Sequence, residues 1–173
     1  MALPKRKSTR LKGYDYSQNG AYFITICTHS RKHLFSDIVG AIHESPENKL
    51  TQYGEIVERI IKMLPDRFNV SIPKYVVMPN HIHLIIEINN DCEERAIRES
   101  PLQYHRSVID KIVGFLKMNV SKMIHNTDNE KIWQRSYHDH IIRDEKDYQK
   151  IWEYINTNPL KWELDCFYND ERS

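Results

Sequence analysis

Two histidines, His81 and His83, stand one residue apart at the start of a strongly apolar run. The run covers residues 81–88 and follows a Met-Pro-Asn tripeptide that favours a turn. In a strand, alternate side chains point to opposite faces, so the two imidazoles share a face with Ile85 and Glu87 while the other face is entirely apolar. The spacing therefore predicts a sheet that packs on helices with one face and carries a paired imidazole site on the other.

Such a pair is by itself a weak signal, because histidines on a strand are more often hydrogen-bonded surface or core residues than ligands. A third ligand and a reactive group would strengthen it, and the last predicted helix carries both. Tyr154 and Asn158 lie one helical turn apart along the border of that helix's apolar stripe, where a phenol and a carboxamide can reach a sheet face. Spacing alone slightly favours a half-buried packing role for Tyr154, and Tyr148 lies inside the stripe as a core residue.

A second His-x-His pair, His138 and His140, lies on a later extended segment. Nothing in the spacing alone prefers one pair to the other. Glu87, on the predicted face of His81 and His83, either tunes that site or is simply solvated.

The composition is that of one globular domain over residues 1–173. A chain of this length buries about two thirds of its unfolded surface without disulfides or metals. The formal net charge is +1, so any affinity for nucleic acid must come from local clusters of charge. Three cysteines without a C-x-x-C spacing indicate a reducing compartment. With no signal-peptide core and no apolar run of bilayer length, we expect a cytoplasmic protein without a membrane anchor.

Two segments without periodicity flank or interrupt the domain. Residues 1–19 form a basic arm whose cations suit phosphate contacts, although a merely solvated tail fits the charge at least as well. The cations are Lys5, Arg6, Lys7, Arg10 and Lys12. Residues 89–106 are charged and contain Pro101, and they are predicted to be a flexible connector.

Four segments have the side-chain alternation or the β-branched and aromatic content of strands. They are residues 21–28, 68–78, 81–88 and 132–143. Pro73 in the second segment should lie at a sheet edge or a bulge, because proline cannot donate a ladder hydrogen bond. Residues 29–50 have no dominant period and are predicted to be a loop with at most a short edge hairpin.

Three segments have helical periodicity. The first, residues 52–64, should end at Pro65, and the second runs from a capping box at residues 107–110 to about His125. The third begins at Asp144 as its N-cap and is closed by an Asn-Pro pair. The resulting order is that of an α+β, ferredoxin-like split βαβ (βαββαβ) antiparallel sheet with an added C-terminal helix that carries Tyr154.

Six motifs are spread over nearly the whole chain. They are Met78-Pro79-Asn80-His81-Ile82-His83, Trp133-Gln134-Arg135, His140-Ile141-Ile142-Arg143, Tyr154-Ile155-x-x-Asn158-Pro159, and the N-terminal segments 10–16 and 20–23. Together they resemble the REP-associated tyrosine transposases, in the single-tyrosine branch of the HUH transposases and nucleases. His-x-His is a common motif, but its combination with a distant Tyr-x-x-x-Asn-Pro is far more specific. Residues 89–106 are the least similar part.

The resemblance implies cleavage and joining of single-stranded DNA, usually beside a hairpin formed by a repetitive extragenic palindrome. It implies that Tyr154 is the nucleophile, which leaves a 5′-phosphotyrosine and a free 3′-hydroxyl, and that His81, His83 and Asn158 hold a divalent metal. A free tyrosine, with a pKa of about 10, needs nearby positive charge to react at neutral pH. Two imidazoles and one amide oxygen leave coordination positions open for phosphate and water, which suits Mg²⁺ or Mn²⁺.

The same resemblance ranks the remaining candidates. His140 matches a family position and is interpreted as a structural or phosphate-contacting residue, whereas the family more often has an aromatic residue in place of His138. Arg135 and Arg143 join the basic arm as candidates for DNA contact. Three aromatic residues near the arm either stack on unpaired bases or pack the arm on the domain: Tyr14, Tyr16 and Tyr22.

Two other functions compete with this hypothesis. One is a nucleic-acid-binding module on the same fold that does not cleave, since this architecture serves many purposes. The other is a metal-dependent phosphodiesterase that activates water and spares Tyr154. The combination of both histidines with Tyr154 and Asn158 favours the DNA-cleaving enzyme. The sequence leaves open whether it acts as a monomer or as a homodimer in which Tyr154 faces the histidines of the partner.

Overall fold

The centre of the fold is a four-stranded antiparallel sheet with helices on both faces. The structure is a computed structural model, and it describes residues 14–40, 46–89, 106–124 and 131–168. The strands are β1 Gly20–Cys27, β2 Ser36–Val39, β3 Glu47–Leu50, β4 Ser71–Val77, β5 His81–Ile88 and β6 His138–Ile142. The helices are α1 Gln52–Phe68, α2 Val108–Ile124 and α3 Glu145–Thr157, with short 3₁₀ turns at His29–Arg31 and Pro159–Leu164. Within these described ranges, no helix is long and apolar enough to cross a membrane.

Two predicted segments fall largely outside the described residues. They are the basic arm, with Lys5, Arg6, Lys7, Arg10 and Lys12, and residues 90–105 of the predicted connector.

The sheet order is β4-β5-β1-β6, and every neighbouring pair is antiparallel. The elements that build it follow the order βαββαβ and are followed by α3, so the predicted ferredoxin-like fold with an added helix is confirmed. Strands β2 and β3 form a separate hairpin, the short one expected within residues 29–50. Pro73 lies in the edge strand β4, where the pairing shifts between Ser71 and Lys74, as its missing amide donor requires.

Alternation along β5 assigns its side chains to two layers of packing. The apolar face joins α1 and α2 in the main core, where these side chains are at most 1% exposed: Ile82, Leu84, Ile86 and Ile88. The opposite face carries His81, His83 and Ile85, and Ile85 packs there against Ile142 of β6 and Ile155 of α3. The predicted division into an apolar face and a histidine face is confirmed, with α3 on the histidine side.

The first helix does not end at Pro65, so this prediction is wrong. α1 continues through the proline to Phe68 and closes at Asn69 in the left-handed conformation, with φ 52°. A proline so near the end of a helix removes only its own amide bond, and the added residues place Phe68 against Phe115 of α2, with ring centroids 5.5 Å apart. Strand β4 consequently begins at Ser71 rather than at residue 68.

The last strand is shorter than the predicted residues 132–143. Strand β6 has five residues, and Trp133 forms only an isolated antiparallel bridge to Thr28, which follows the end of β1. Between them the carbonyl oxygens of Gln134 and Ser136 accept hydrogen bonds from the Lys117 ammonium at 2.8 and 2.9 Å. These carbonyls are therefore satisfied by a side chain of α2 instead of by a neighbouring strand.

Both helix caps predicted from the sequence are present. The Ser107 hydroxyl accepts from the Asp110 amide at 3.1 Å and donates to its carboxylate at 2.9 Å. The Asp144 carboxylate accepts from the Asp147 amide at 2.8 Å. The second cap fixes the start of α3, and hence which of its side chains, including Tyr154, face the sheet.

Gly54 of α1 provides a test of the packing. A Cβ added there would overlap the backbone carbonyl oxygen of Phe35. We expect Gly54→Ala to destabilise the protein by at least about 2 kcal/mol, although alanine is the better helix former. Gly114→Ala in α2 is the matched control, because nothing lies within 4 Å of the added methyl group, and it should stabilise by about 0.5–1 kcal/mol. Urea denaturation measures both, and equal stability of the two variants would contradict the close approach.

Candidate active site

The two histidines of β5 lie side by side beneath α3. Their ring centroids are 4.4 Å apart, and the side chains are 0% and 1% exposed. A turn positions them: the Met78 amide donates to the His81 carbonyl at 2.8 Å, so β5 begins at the first histidine. Across the sheet, β1 places Thr25 directly opposite His83.

His81 is oriented by the residue before it. Its Nδ1 lies 2.8 Å from the side-chain oxygen of Asn80. The side-chain nitrogen of Asn80 in turn donates to the Phe167 carbonyl at 2.9 Å. Because an amide oxygen can only accept, Nδ1 carries the proton and Nε2 carries the lone pair. Within the described part of the chain, that buried Nε2 has no hydrogen-bond partner.

His83 is oriented from the neighbouring strand. Its Nδ1 lies 2.8 Å from the Thr25 hydroxyl, and its Nε2 lies 3.3 Å from the Tyr154 hydroxyl. Burial lowers the pKa of His81 to about 4 and that of His83 well below its ordinary value. Both imidazoles are therefore neutral at pH 7, which is the protonation state a metal ligand requires.

Tyr154 extends from α3 over the histidine pair. Its ring lies 5.2 Å from the His83 ring and 6.1 Å from that of Phe23, and the residue is 37% exposed. The hydroxyl donates to the Asp165 carboxylate at 2.8 Å. Burial, together with this hydrogen bond, raises the pKa of Tyr154 above its usual value. The phenol is therefore protonated at neutral pH.

Asn158 closes α3 and is 2% exposed. Its amide nitrogen donates to the same Asp165 oxygen at 2.6 Å. Its side-chain oxygen is buried and, among the residues that the structure covers, lacks a hydrogen-bond partner. Asn158 and His81 thus each present one unsatisfied acceptor atom, which is unusual for buried polar groups and is what a bound cation would satisfy.

Asp165 is a site residue that the sequence reasoning missed. It follows the 3₁₀ turn after α3, and its carboxylate accepts hydrogen bonds from the side chains of both Tyr154 and Asn158. One carboxylate oxygen and one ring nitrogen each of His81 and His83 all lie within 4.8 Å of one another. The sequence signals it only as an acidic residue a few positions beyond the Asn-Pro pair. Because that segment has no periodicity, the sequence does not predict which way the side chain points.

A divalent cation fits this donor set. Two neutral imidazole nitrogens, an amide oxygen without a partner and a carboxylate oxygen are ligand types that accept Mn²⁺, and the oxygens also suit Mg²⁺. In the described ranges, these histidines with Asp165 are the one group of three or more His, Cys, Asp or Glu residues gathered closely enough for a metal.

The competing pair on β6 is not assembled in this way. His138 is exposed, and its ring lies 6.4 Å from that of Phe167. His140 makes a 2.7 Å contact with the Asp147 carboxylate of α3, which ties strand and helix together. Glu87, on the face of the first pair, accepts a 2.8 Å hydrogen bond from Tyr148, whose ring also stacks on Trp152.

Of the candidate DNA contacts, only two lie among the residues that the structure describes. Arg135 and Arg143 are exposed, and Arg143 lines a groove of about 530 Å³ with Lys146 and Lys150. The three aromatic residues near the arm pack on one another at centroid distances of 5.0, 6.0 and 6.5 Å: Tyr14, Tyr16 and Tyr22. Tyr16 and Tyr22 are buried, so of the two roles considered for them the structure has packing rather than base stacking.

Comparison with known proteins finds relatives along almost the whole chain, although no protein-family model matches it. The chain is 38% identical to an uncharacterised protein of Haemophilus influenzae strain Rd, over 95% of this chain and 94% of that protein. It is 25% identical to a second H. influenzae protein, provisionally named a REP-associated tyrosine transposase, over 92% of this chain and 86% of that protein. The REP-associated tyrosine transposase of Escherichia coli K12 is 24% identical, over 90% of this chain and 81% of that protein.

A solved structure has the same fold. It is that of a REP-associated tyrosine transposase bound to a REP hairpin, with a TM-score of 0.59 and 19% identity over 95% of this chain and 76% of that chain. The likeness of fold agrees with the end-to-end alignment of the named relatives. The chain therefore belongs to the family of REP-associated tyrosine transposases.

Proposed function

We propose that the protein cleaves and rejoins single-stranded DNA by a metal-dependent transesterification in which Tyr154 is the nucleophile. The observation that carries this proposal is the position of the Tyr154 hydroxyl, 3.3 Å from Nε2 of His83 in the same chain. The proposed nucleophile thus lies beside the imidazoles proposed to bind the metal, which supports metal-assisted phosphodiester exchange. Because one chain supplies both, the arrangement supports action as a monomer.

The proposed metal ligands are His81, His83 and Asn158, holding Mg²⁺ or Mn²⁺. Asn80 accepts from Nδ1 of His81 and so leaves a lone pair on its Nε2, while the Thr25 hydroxyl holds the His83 ring through Nδ1 with its Nε2 toward Tyr154. When bound, the cation would polarise the oxygens of the scissile phosphate and offset the negative charge of the phenolate.

Tyr154 attacks the phosphorus atom of the scissile phosphodiester. A bond forms between the phenolic oxygen and phosphorus, and the bond from phosphorus to the 3′-oxygen breaks. The phenol loses a proton and the departing 3′-oxygen gains one, so the products are a 5′-phosphotyrosine and a 3′-hydroxyl. Because one phosphodiester replaces another, attack by a 3′-hydroxyl in the reverse direction rejoins DNA without ATP.

The proposed substrate is single-stranded DNA that carries a hairpin or palindromic element. Family membership supports it, as does the REP hairpin in the structure of a related transposase. We propose that residues 1–173 form a single domain. We assign phosphate contacts to the exposed residues Arg135 and Arg143 and to the cations of the arm, which are Lys5, Arg6, Lys7, Arg10 and Lys12. Such contacts make affinity fall steeply with salt concentration.

An end-labelled hairpin oligonucleotide tests the reaction and its polarity. In Mn²⁺, a strand labelled at its 3′ end should become attached to the protein in an adduct that survives denaturation. The same strand labelled at its 5′ end should be released with a free 3′-hydroxyl. Chelation of the metal with EDTA should prevent both, and a fully paired duplex without a single-stranded region is the substrate control.

The other outcomes distinguish the competing functions. Binding of the hairpin without cleavage or adduct, in either metal, would identify a binding module. Cleavage without an adduct would identify water as the nucleophile. Attachment of the 5′-labelled fragment instead of the 3′-labelled one would contradict the 5′-phosphotyrosine.

A further inference from the structure

We propose that Asp165 is a fourth protein ligand of the divalent cation, beside His81, His83 and Asn158. The segment that carries it, residues 165–168, is then part of the metal centre and not merely a cover over it. This inference rests on the proposed function, which supplies the reason for a cation at this place.

The distances among the donor atoms carry the first step. Metal bonds of about 2.0–2.1 Å place neighbouring ligand atoms about 3 Å apart and opposite ones about 4.2 Å apart in an octahedral site. The donor atoms of His81, His83 and Asp165 lie within 4.8 Å of one another. Only a small adjustment of side chains is needed for all three to reach one ion.

The segment around Asp165 is held at the site by contacts of its own. The Phe167 ring packs on the His81 ring at 4.7 Å, and the Phe167 carbonyl accepts from Asn80 at 2.9 Å. The Arg31 guanidinium donates to the Cys166 carbonyl at 3.1 Å. The carboxylate is therefore presented to the histidines by its own backbone, and its place does not depend on the bond to Tyr154.

The orientation of the carboxylate is also fixed. The Phe167 amide donates to one carboxylate oxygen of Asp165 at 2.7 Å. The other oxygen accepts hydrogen bonds from the Tyr154 hydroxyl and the Asn158 side-chain nitrogen. A carboxylate has about four lone-pair directions on its two oxygens. It can keep these three hydrogen bonds and still offer a lone pair to a cation, so binding does not require the phenol to leave.

The charge of the donor set favours the same assignment. Two neutral imidazoles and an amide supply no negative charge, whereas a carboxylate supplies one and is the hard oxygen ligand that Mg²⁺ and Mn²⁺ prefer. With Asp165 as a ligand, the tyrosine oxygen lies one hydrogen bond away from a metal-bound group. The same residue would then both bind the ion and hold the nucleophile next to it.

Metal binding in the absence of DNA tests this inference without any measurement of activity. Isothermal titration of the full chain with Mn²⁺ should give an affinity at least about tenfold weaker for Asp165→Ala than for the wild type. Asp165→Asn keeps the size of the side chain and should weaken binding in the same direction. Glu163→Ala is the matched control, because it removes an exposed carboxylate from the 3₁₀ turn just before Asp165 and should bind Mn²⁺ like the wild type.

Two further variants separate this inference from the proposed function. Tyr154→Phe should retain the wild-type Mn²⁺ affinity, so any effect of Asp165 cannot be indirect through the phenol. Wild-type affinity in both Asp165 variants, with binding lost in His81→Ala, would overturn Asp165 as a ligand and leave the histidine centre intact. Undiminished binding in His81→Ala would instead overturn the metal site itself. Circular dichroism without metal checks that each variant is folded.

Discussion

Tyr154→Phe is expected to abolish the covalent protein–DNA adduct, lowering its rate of formation at least about 10⁴-fold, as when other covalent nucleophiles are removed. The substitution removes one oxygen, with its bond to Asp165 at 2.8 Å and its contact with His83 at 3.3 Å. The phenyl ring that remains can keep its packing on Phe23 and His83. We therefore expect hairpin binding and thermal stability to stay close to those of the wild type.

Tyr148→Phe is the matched control for this substitution. It removes a hydroxyl from another tyrosine of α3, one that is bonded to Glu87 at 2.8 Å and not to either histidine. This variant should form the adduct at close to the wild-type rate on a 3′-labelled hairpin in Mn²⁺. An adduct that persists in Tyr154→Phe and disappears in Tyr148→Phe would identify Tyr148, and not Tyr154, as the nucleophile.

The parts of this site that follow from regular periods could be predicted from the sequence. A period of two placed His81 and His83 on one face of β5, and a period of 3.6 placed Tyr154 and Asn158 along one border of α3. The fold then required only that α3 lie over the histidine face, where Ile155 packs against the sheet. Tyr154 meets the histidine pair because two regular elements are stacked, and each period is visible in the chain.

The parts that depend on register or on irregular backbone could not be predicted. Thr25 orients His83 only because β1 and β5 pair in one particular register, which a single strand does not specify. Asp165 reaches the site because a 3₁₀ turn after α3 carries the chain back, with the Asp165 amide bonded to the Trp162 carbonyl at 3.0 Å. The rule that proline ends a helix fails at Pro65 because local preference ignores the packing of Phe68 on α2.

The electrostatics of the site support the proposed role of a cation in the reaction. Burial keeps both imidazoles neutral, so neither supplies positive charge to the phenol at pH 7. Burial and the Asp165 carboxylate raise the pKa of Tyr154 instead of lowering it. The raised pKa leaves the proposed nucleophile protonated at pH 7, so loss of a proposed metal ligand should affect the reaction far more than it affects the fold.

His81→Ala is expected to lower the cleavage rate at least about 100-fold and to remove most of the heat of Mn²⁺ binding, since even the residues that support metal ligands contribute 10–100-fold. The substitution deletes the buried Nε2 that has no hydrogen-bond partner within the described chain. It also leaves Asn80 without its 2.8 Å contact, so some loss of stability is expected. His81→Leu, which fills more of the space and offers no ligand atom, tests whether lost cleavage follows the lost ligand or the lost packing.

His138→Ala is the control for the choice between the two His-x-His pairs. His138 is exposed, and the structure gathers no third ligand around it in the ranges it describes, so cleavage and Mn²⁺ binding should match the wild type. His140 is already engaged with Asp147 at 2.7 Å, which leaves the β6 pair without two free imidazoles. If His138→Ala lost both Mn²⁺ binding and cleavage while His81→Ala kept them, the metal centre would have to move to β6. Tyr154 would then lose its place as the nucleophile, because its hydroxyl contacts the histidine pair of β5.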